Sequence, residues 1–199
     1  MIFAQAQCGV EKQDRSAARL SRIARLIAVF ESNFPSVHYR LLSSVTAINA
    51  QASFANGACL VDIFGGLAYH PTIGHDGLVF MLLHETGHHL GIGCRLPWAE
   101  LACECTADAW AATEGHRTLR ANGEDFRLAT ALQEIEHAAG LRTPDDSPTS
   151  TRRTSCWAMN WQKRKQALLD GRAVRLRTCH ISSAIKRSQS GEQNGRIDS

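Results

Sequence analysis

The stretch Leu82-Leu83-His84-Glu85-Thr86-Gly87-His88-His89-Leu90 contains the pattern H-E-x-x-H, and the rest of the chain is read outward from it. On an α-helix, residues four apart lie one above the other on the same face. His84 and His88 can therefore direct two imidazole nitrogens at one point. Glu85 is rotated about 100° around the axis, so it cannot meet the same ion head-on. It can reach a water on that ion, where a general base belongs. Leu78, Val79, Phe80, Met81, Leu82 and Leu83 are all apolar, and a helix apolar on nearly all sides is a buried one. The competing interpretation is a buried helix whose histidines make ordinary hydrogen bonds.

A catalytic zinc ion takes three protein ligands and keeps one position open. Glu104 lies 16 residues beyond His88, past Gly91 and Gly93, and Asp108 follows one turn later on the same face of a predicted helix. In that arrangement Glu104 is the third ligand, and Asp108 accepts the far N–H of a ligand histidine. Glu100, one turn earlier, is the fallback. Cys94 is a further alternative, because His88-His89-Leu90-Gly91-Ile92-Gly93-Cys94 has cysteine where metzincins place a histidine. A thiolate there would dull the Lewis acid. Cys103 and Cys105 flank Glu104 on different helix faces and read as buried small residues or disulfide partners. His89 reads as a core or rim histidine.

The flanking sequence predicts an amphipathic helix over 12–33, with Ala18, Ile23, Leu26, Ile27 and Phe30 at helical spacing. Arg15, Arg19, Arg22 and Arg25 line its remaining surface, as a solvated face. Two strands follow, over 48–54 and 58–64, joined at Asn56-Gly57, where both positions tolerate positive φ. Gly65-Gly66 ends the second strand, and 67–77 reads as a loop. Asp76 is the expected N-cap of the histidine helix, and Gly91 its left-handed C-cap. Pro97 is expected to open a helix running to Thr113, with Gly115 interrupting before Asn122-Gly123. Further helices are expected over 124–139 and 155–169, with a loop over 142–151 between them.

The chain has 199 residues, is 44% hydrophobic and 21% charged, and so has the composition of one globular domain. Residues 1–177 are expected to form that domain, with its core in 45–153, and 178–199 a polar, disordered tail. No apolar run approaches the roughly 20 residues needed to span a bilayer. Residues 1–141 carry 10 Lys+Arg against 14 Asp+Glu, whereas 142–199 carry 12 against 5. A basic end of this kind reads as a solvated, partly disordered segment rather than a nucleic-acid partner. Seven cysteines are many for a reducing compartment. As written, the start has no charged segment and apolar core of a secretory signal, which points to the cytoplasm. Met1-Ile2-Phe3-Ala4-Gln5-Ala6 does end like a cleavage site, so a start further upstream would make the protein periplasmic or secreted.

H-E-x-x-H followed by Glu104-Cys105-Thr106-Ala107-Asp108-x-x-Ala111 resembles the gluzincin metallopeptidases. Within them it is similar to the group that includes the CAAX prenyl endopeptidases, the heat-shock membrane proteases and soluble periplasmic relatives. Upstream, Asn49-Ala50-Gln51-Ala52, Asn56-Gly57 and the apolar run 60–64 before Gly66-Leu67 match that group's strand, turn and strand, so the likeness covers 45–153. It implies an α+β, mostly helical zincin-like domain with a small antiparallel sheet, the hairpin at Asn56-Gly57, beside the active-site helix. It implies one zinc ion on His84, His88 and Glu104, with Glu85 as general base. It also implies an edge strand with Asn49 and Ala50 that pairs with an extended peptide or unfolded-protein substrate. The well-known members have transmembrane helices, so a soluble branch is implied. The family's His-Pro followed by arginine reads here as Ser147-Pro148 with Arg153. Either Arg153, Tyr69 or His75 stabilises the oxyanion in place of that histidine, or turnover is poor. The alternative function is a catalytically weak or inactive binding, chaperone or regulatory protein on the same fold.

Overall fold

The computed structural model describes residues 7–96, 100–140 and 161–172. The first long helix, α1 (Ala17–Asn33), begins later than the expected residue 12. Ser16 Oγ accepts the Arg19 amide at 3.3 Å, and the Asp14 carboxylate accepts the Ser16 amide at 3.0 Å. Side chains that take up backbone amides in this way stop the helix at its cap. Ile23, Leu26 and Phe30 face the core. Arg22 and Arg25 are exposed as expected, but Arg19 turns inward and donates to the Ala68 carbonyl at 2.7 Å.

The sheet is mixed, with strand order β1-β3-β2, rather than the purely antiparallel hairpin expected. β1 (Val37–Leu42) runs parallel to β3 (Ala58–Phe64), and β2 (Ala50–Ala55) pairs with β3 antiparallel. Asn56 (φ 52°) and Gly57 (φ 78°) make the connecting turn, in the left-handed region their sequence allows. Arg40 and Asp62 face each other across β1 and β3 in a two-bond ion pair, 2.7 and 2.9 Å. The glycine pair after β3 opens a short helix, α2 (Gly65–Ala68), where a loop was expected to begin soon after.

α3 (His75–Leu90) is the hub, packing against β2, β3, α4 (Glu104–Trp110) and α6 (Leu128–Ala139). Leu78, Val79, Phe80, Met81, Leu82 and Leu83 are each 2% exposed or less. Burying such side chains stabilises by roughly 1.5–3 kcal/mol apiece. Asp76 is not its N-cap. Gly74 occupies that position, and Glu134 Oε2 from α6 accepts the Gly74 and Gly77 amides at 2.9 and 2.7 Å. Asp76 instead pairs with Arg127 at 3.2 Å. At the other end Gly91 is extended (φ −64°, ψ 127°), not left-handed. Its constraint is space: a Cβ there would lie 2.6 Å from the Gly87 carbonyl oxygen and 3.0 Å from Thr106 Cγ2.

The next described helix, α4, runs over Glu104–Trp110, while residues 97–99, where a helix was expected to open, lie outside the described residues. Ala102 and Cys103 are extended before it, with Leu96 N–H on the Leu101 carbonyl (2.8 Å) and Cys103 N–H on that of Cys94 (2.7 Å). α4 passes through a π-helical turn, Ala111–Gly115, into α5 (His116–Ala121), so Gly115 does not break the helix. A Cβ on Gly115 would lie 2.5 Å from the Trp110 ring, and its absence lets that indole pack. α6 (Leu128–Ala139) starts after residue 124 because Asp125 Oδ1 holds the Phe126 amide and the His116 ring. α7 (Trp161–Leu169) packs on α4 and α6. The expected segments 142–151, 155–160 and 178–199 lie outside the described residues. Among the described residues no helix is long and apolar enough to cross a membrane.

Candidate metal centre

α3 carries His84, Glu85 and His88 into the interior at 1%, 6% and 5% exposure. Among the described residues these three form a group whose donor atoms lie within 4.8 Å of one another. α4 can approach because one of the three residues between the histidines, the one before His88, is Gly87. A Cβ there would sit 2.8 Å from the Ala107 carbonyl oxygen and 3.0 Å from its Cα. This close packing brings Glu104 Oε2 within 3.4 Å of His84 Nε2 and Glu104 Oε1 within 3.6 Å of His88 Nε2.

Each imidazole is held from behind. His84 Nδ1 lies 2.9 Å from Asp108 Oδ1, an ion-pair contact, and His88 Nδ1 donates to the Ala102 carbonyl at 2.7 Å. Both Nε2 atoms are thereby left turned toward Glu104, the tautomer arrangement of metal-ligating histidines. Two imidazoles and a carboxylate, nearly dry and with outer partners, are a donor set that fits zinc.

Behind the carboxylates stands Arg164 of α7, which is 5% exposed. Its guanidinium grips Asp108 with two bonds (2.7 and 2.8 Å) and reaches Glu104 Oε2 at 2.6 Å. The sequence reading missed it. Lys163-Arg164-Lys165 looks like part of the basic end, and only the apolar neighbours Trp161 and Leu168 on the same helix could have signalled burial.

Charge and burial oppose each other here. Burial depresses His84, but Asp108 and Glu104 outweigh it and push its imidazole up to about 9. Burial, aided by the neighbouring His84 charge, brings His88 down to about 4. Burial would raise Glu104, yet His84 and Arg164 hold it well below the carboxylate range. Burial is likewise overcome at Asp108, which Arg164 and His84 bring down to about 2. Glu85 is pushed up by burial.

Glu85 Oε2 accepts the Ala52 amide of β2 at 2.8 Å. Antiparallel pairing alternates inward and outward backbone groups. The Asn49 carbonyl bonds Phe64 N–H of β3, so the Ala50, Ala52 and Phe54 groups point to the other edge, the one beside Glu85. Asn49 is buried just ahead of β2, and its Oδ1 has no hydrogen-bond partner among the described residues. Ala50 is the first residue of the strand.

Other candidates lie elsewhere. His75 opens α3, nine residues and about 13 Å along the axis from His84, where it meets Glu124 at 3.0 Å. Tyr69 is a core residue beneath Arg15, 4.6 Å from guanidinium carbon to ring centroid. From the start of α3, His75 does not reach this centre. Glu100 is exposed, and Cys94 packs with Cys103 and Cys105. Arg153, with Ser147 and Pro148, lies outside the described residues. His89 is a rim residue as expected, donating to the Leu60 carbonyl at 2.9 Å with its ring against Phe54.

Comparison of the chain with protein families, with curated proteins and with solved structures finds no match. Its function is accordingly inferred from the chemistry of this centre.

Proposed function

We propose that the chain is a zinc-dependent endopeptidase on a zincin-like fold, a gluzincin, acting on peptide or unfolded-protein substrates. The observation that carries this reading is the meeting of His84, His88 and Glu104 from two consecutive helices, with Glu85 beside them and in contact with the sheet edge. When bound, zinc would acidify a water and polarise a carbonyl.

The side chains around it have separate tasks. Asp108 and the Ala102 carbonyl hold the two imidazoles with Nε2 inward. Arg164 balances the two carboxylates and occupies one side of Glu104, leaving Oε1 toward His88. Glu85 is braced by a single bond from Ala52, and burial shifts its affinity for protons upward, the direction that suits a base working near neutral pH. The outward groups of Ala50, Ala52 and Phe54 offer an extended chain a partner strand next to that base.

One observation favours a second reading. Protonated His84 and Arg164 against Glu104 and Asp108 form a charge-balanced cluster without any ion, as a purely structural network would. In that case the protein is a binding or regulatory module on the same fold.

Metal analysis of the purified protein beside a casein-type proteolysis assay separates the two. The peptidase reading expects one zinc per chain and cleavage that stops with chelator and returns with zinc. Metal-free protein that takes up no zinc would support the structural network.

A further inference from the structure

The sheet face beneath α3 continues past the metal centre. On β2 and β3 Ala52 stands opposite Val61, and two residues further along Phe54 stands opposite Cys59. Side chains two apart on a strand share a face, so Phe54 and Cys59 extend the face that carries Ala52 and Val61. There the strands and the last turn of α3 border an open cleft of about 530 Å³, lined by Phe54, Cys59, His89, Arg95 and Glu100. That volume is in the range of ligand-binding clefts. Phe54 remains 44% exposed although its ring stands edge-on to the His89 imidazole, 5.0 Å between centroids. Cys59 is half-buried, and His89 is fixed by its bond to the Leu60 carbonyl. Arg95 and Glu100 are exposed and of opposite sign, and the Arg95 guanidinium donates to the Glu100 carbonyl.

We propose that this cleft is a specificity pocket that takes an aromatic or large aliphatic side chain of an extended peptide, two residues from the one lying beside Glu85. The inference deepens the peptidase reading and rests on it, because the peptide is the chain that pairs with β2 next to that base.

The register follows from the edge. Among the described residues β2 pairs with β3 alone, and the backbone groups of Ala52 and Phe54 point to its other side. Glu85 takes the Ala52 amide, so the Ala52 carbonyl and the Phe54 groups are what the edge offers an added strand. When one side chain of that strand faces Ala52, the next on the same face is about 6.6–6.8 Å further along, over Phe54 and the cleft. A phenyl or indole ring there can stack on the Phe54 ring. The two charges of opposite sign cancel, so neither an acidic nor a basic side chain gains by entering, and an apolar one does. An exposed phenyl ring on an edge strand is an invitation to unwanted pairing, and a bound chain covers it.

The test uses the full chain carrying Glu85→Gln, so that a bound peptide stays whole, and reads the fluorescence anisotropy of two fluorescein-labelled decapeptides. Both consist of threonine and serine except at one central residue, phenylalanine in one and alanine in the other. The phenylalanine peptide is expected to bind about 10- to 100-fold more tightly, as burial of one such ring allows. Phe54→Ala, at an exposed position, should reduce that preference, and Cys59→Phe, which fills the cleft, should abolish it. Capping Cys59 with methyl methanethiosulfonate gives the same block without a substitution, and Cys59→Ala should keep the preference while losing sensitivity to the reagent. Equal affinity for the two peptides overturns the proposal, as does a preference that survives both Phe54→Ala and Cys59→Phe. Digestion of casein by the wild-type chain, with the cut bonds mapped by mass, separates this pocket from the peptidase reading. Cuts at a fixed spacing of about two residues from large apolar side chains support both. Phenylalanine-dependent binding without any cut retains the pocket and removes the peptidase. Cuts without such spacing, together with equal binding of the two peptides, retain the peptidase and remove the pocket.

Discussion

Gly87 lies against Ala107 so closely that a Cβ would sit 2.8 Å from the Ala107 carbonyl oxygen. That contact sets the distance between the helix bearing the two imidazoles and the helix bearing Glu104. Gly87→Val is expected to wedge them apart, at about 1–3 kcal/mol for overpacking. A lower urea midpoint together with weakened zinc retention checks this, and unchanged zinc retention would free Glu104 from dependence on the helix spacing.

Arg164 grips both Glu104 and Asp108, which His84 also meets. Arg164→Met leaves two buried carboxylates facing one imidazolium. Removing one member of a buried ion cluster typically costs about 3–5 kcal/mol. The metal-free protein should lose most of that, and zinc, which supplies positive charge at the same place, should restore part of it. Equal losses with and without zinc in chemical denaturation would speak against an ion beside Glu104.

Glu85→Gln keeps the size and an acceptor for the Ala52 amide but cannot take a proton. Bound zinc should be unchanged, and hydrolysis of an unfolded protein should fall by about 100- to 10,000-fold, the range general bases contribute. Full activity in this variant would remove Glu85 from the chemistry.

The pH dependence of the metal-free protein follows from His84. Its folded value, about 9, stands above the ordinary 6.5 or so. The stabilisation is therefore fully present below pH 6.5 and is lost as pH rises through 9. Asp108 has the opposite sign: brought down to about 2, it contributes above the ordinary carboxylate value near 4 and is lost as pH falls through 2. Zinc would replace the His84 proton, so melting curves of loaded and chelated protein should diverge between pH 6 and 9. Parallel curves across that range would show that no ion competes for His84.

What the sequence made legible were features encoded by local chemistry. The Asn56-Gly57 turn declares its own backbone angles, and the unbroken run from Leu78 to Leu83 can only be a buried element. Glu104 sits 16 residues past His88 on the next helix, and the two meet within 3.6 Å. What escaped depends on partners far along the chain. β1 carried the alternation that marks a half-buried strand, with Val37 and Tyr39 buried and His38 and Arg40 exposed. Its parallel partner is 22 residues away, however, so no hairpin turn announces it. The cap of α3 comes from Glu134, 57 residues beyond Gly77. The ladder of Leu96 and Cys94 with Leu101 and Cys103 keeps Ala102 and Cys103 extended until Glu104. Arg164 hides in a basic run because a buried cation is defined by the anions it meets, not by its neighbours in sequence.

The central claim is that one ion is held by two imidazoles and a carboxylate, and X-ray absorption at the zinc edge of the loaded protein addresses it most directly. The account predicts nitrogen and oxygen neighbours at about 2.0–2.2 Å and no sulfur, with Glu104→Ala losing the ion. A sulfur neighbour at about 2.3 Å, or stoichiometric zinc retained in Glu104→Ala, would contradict it.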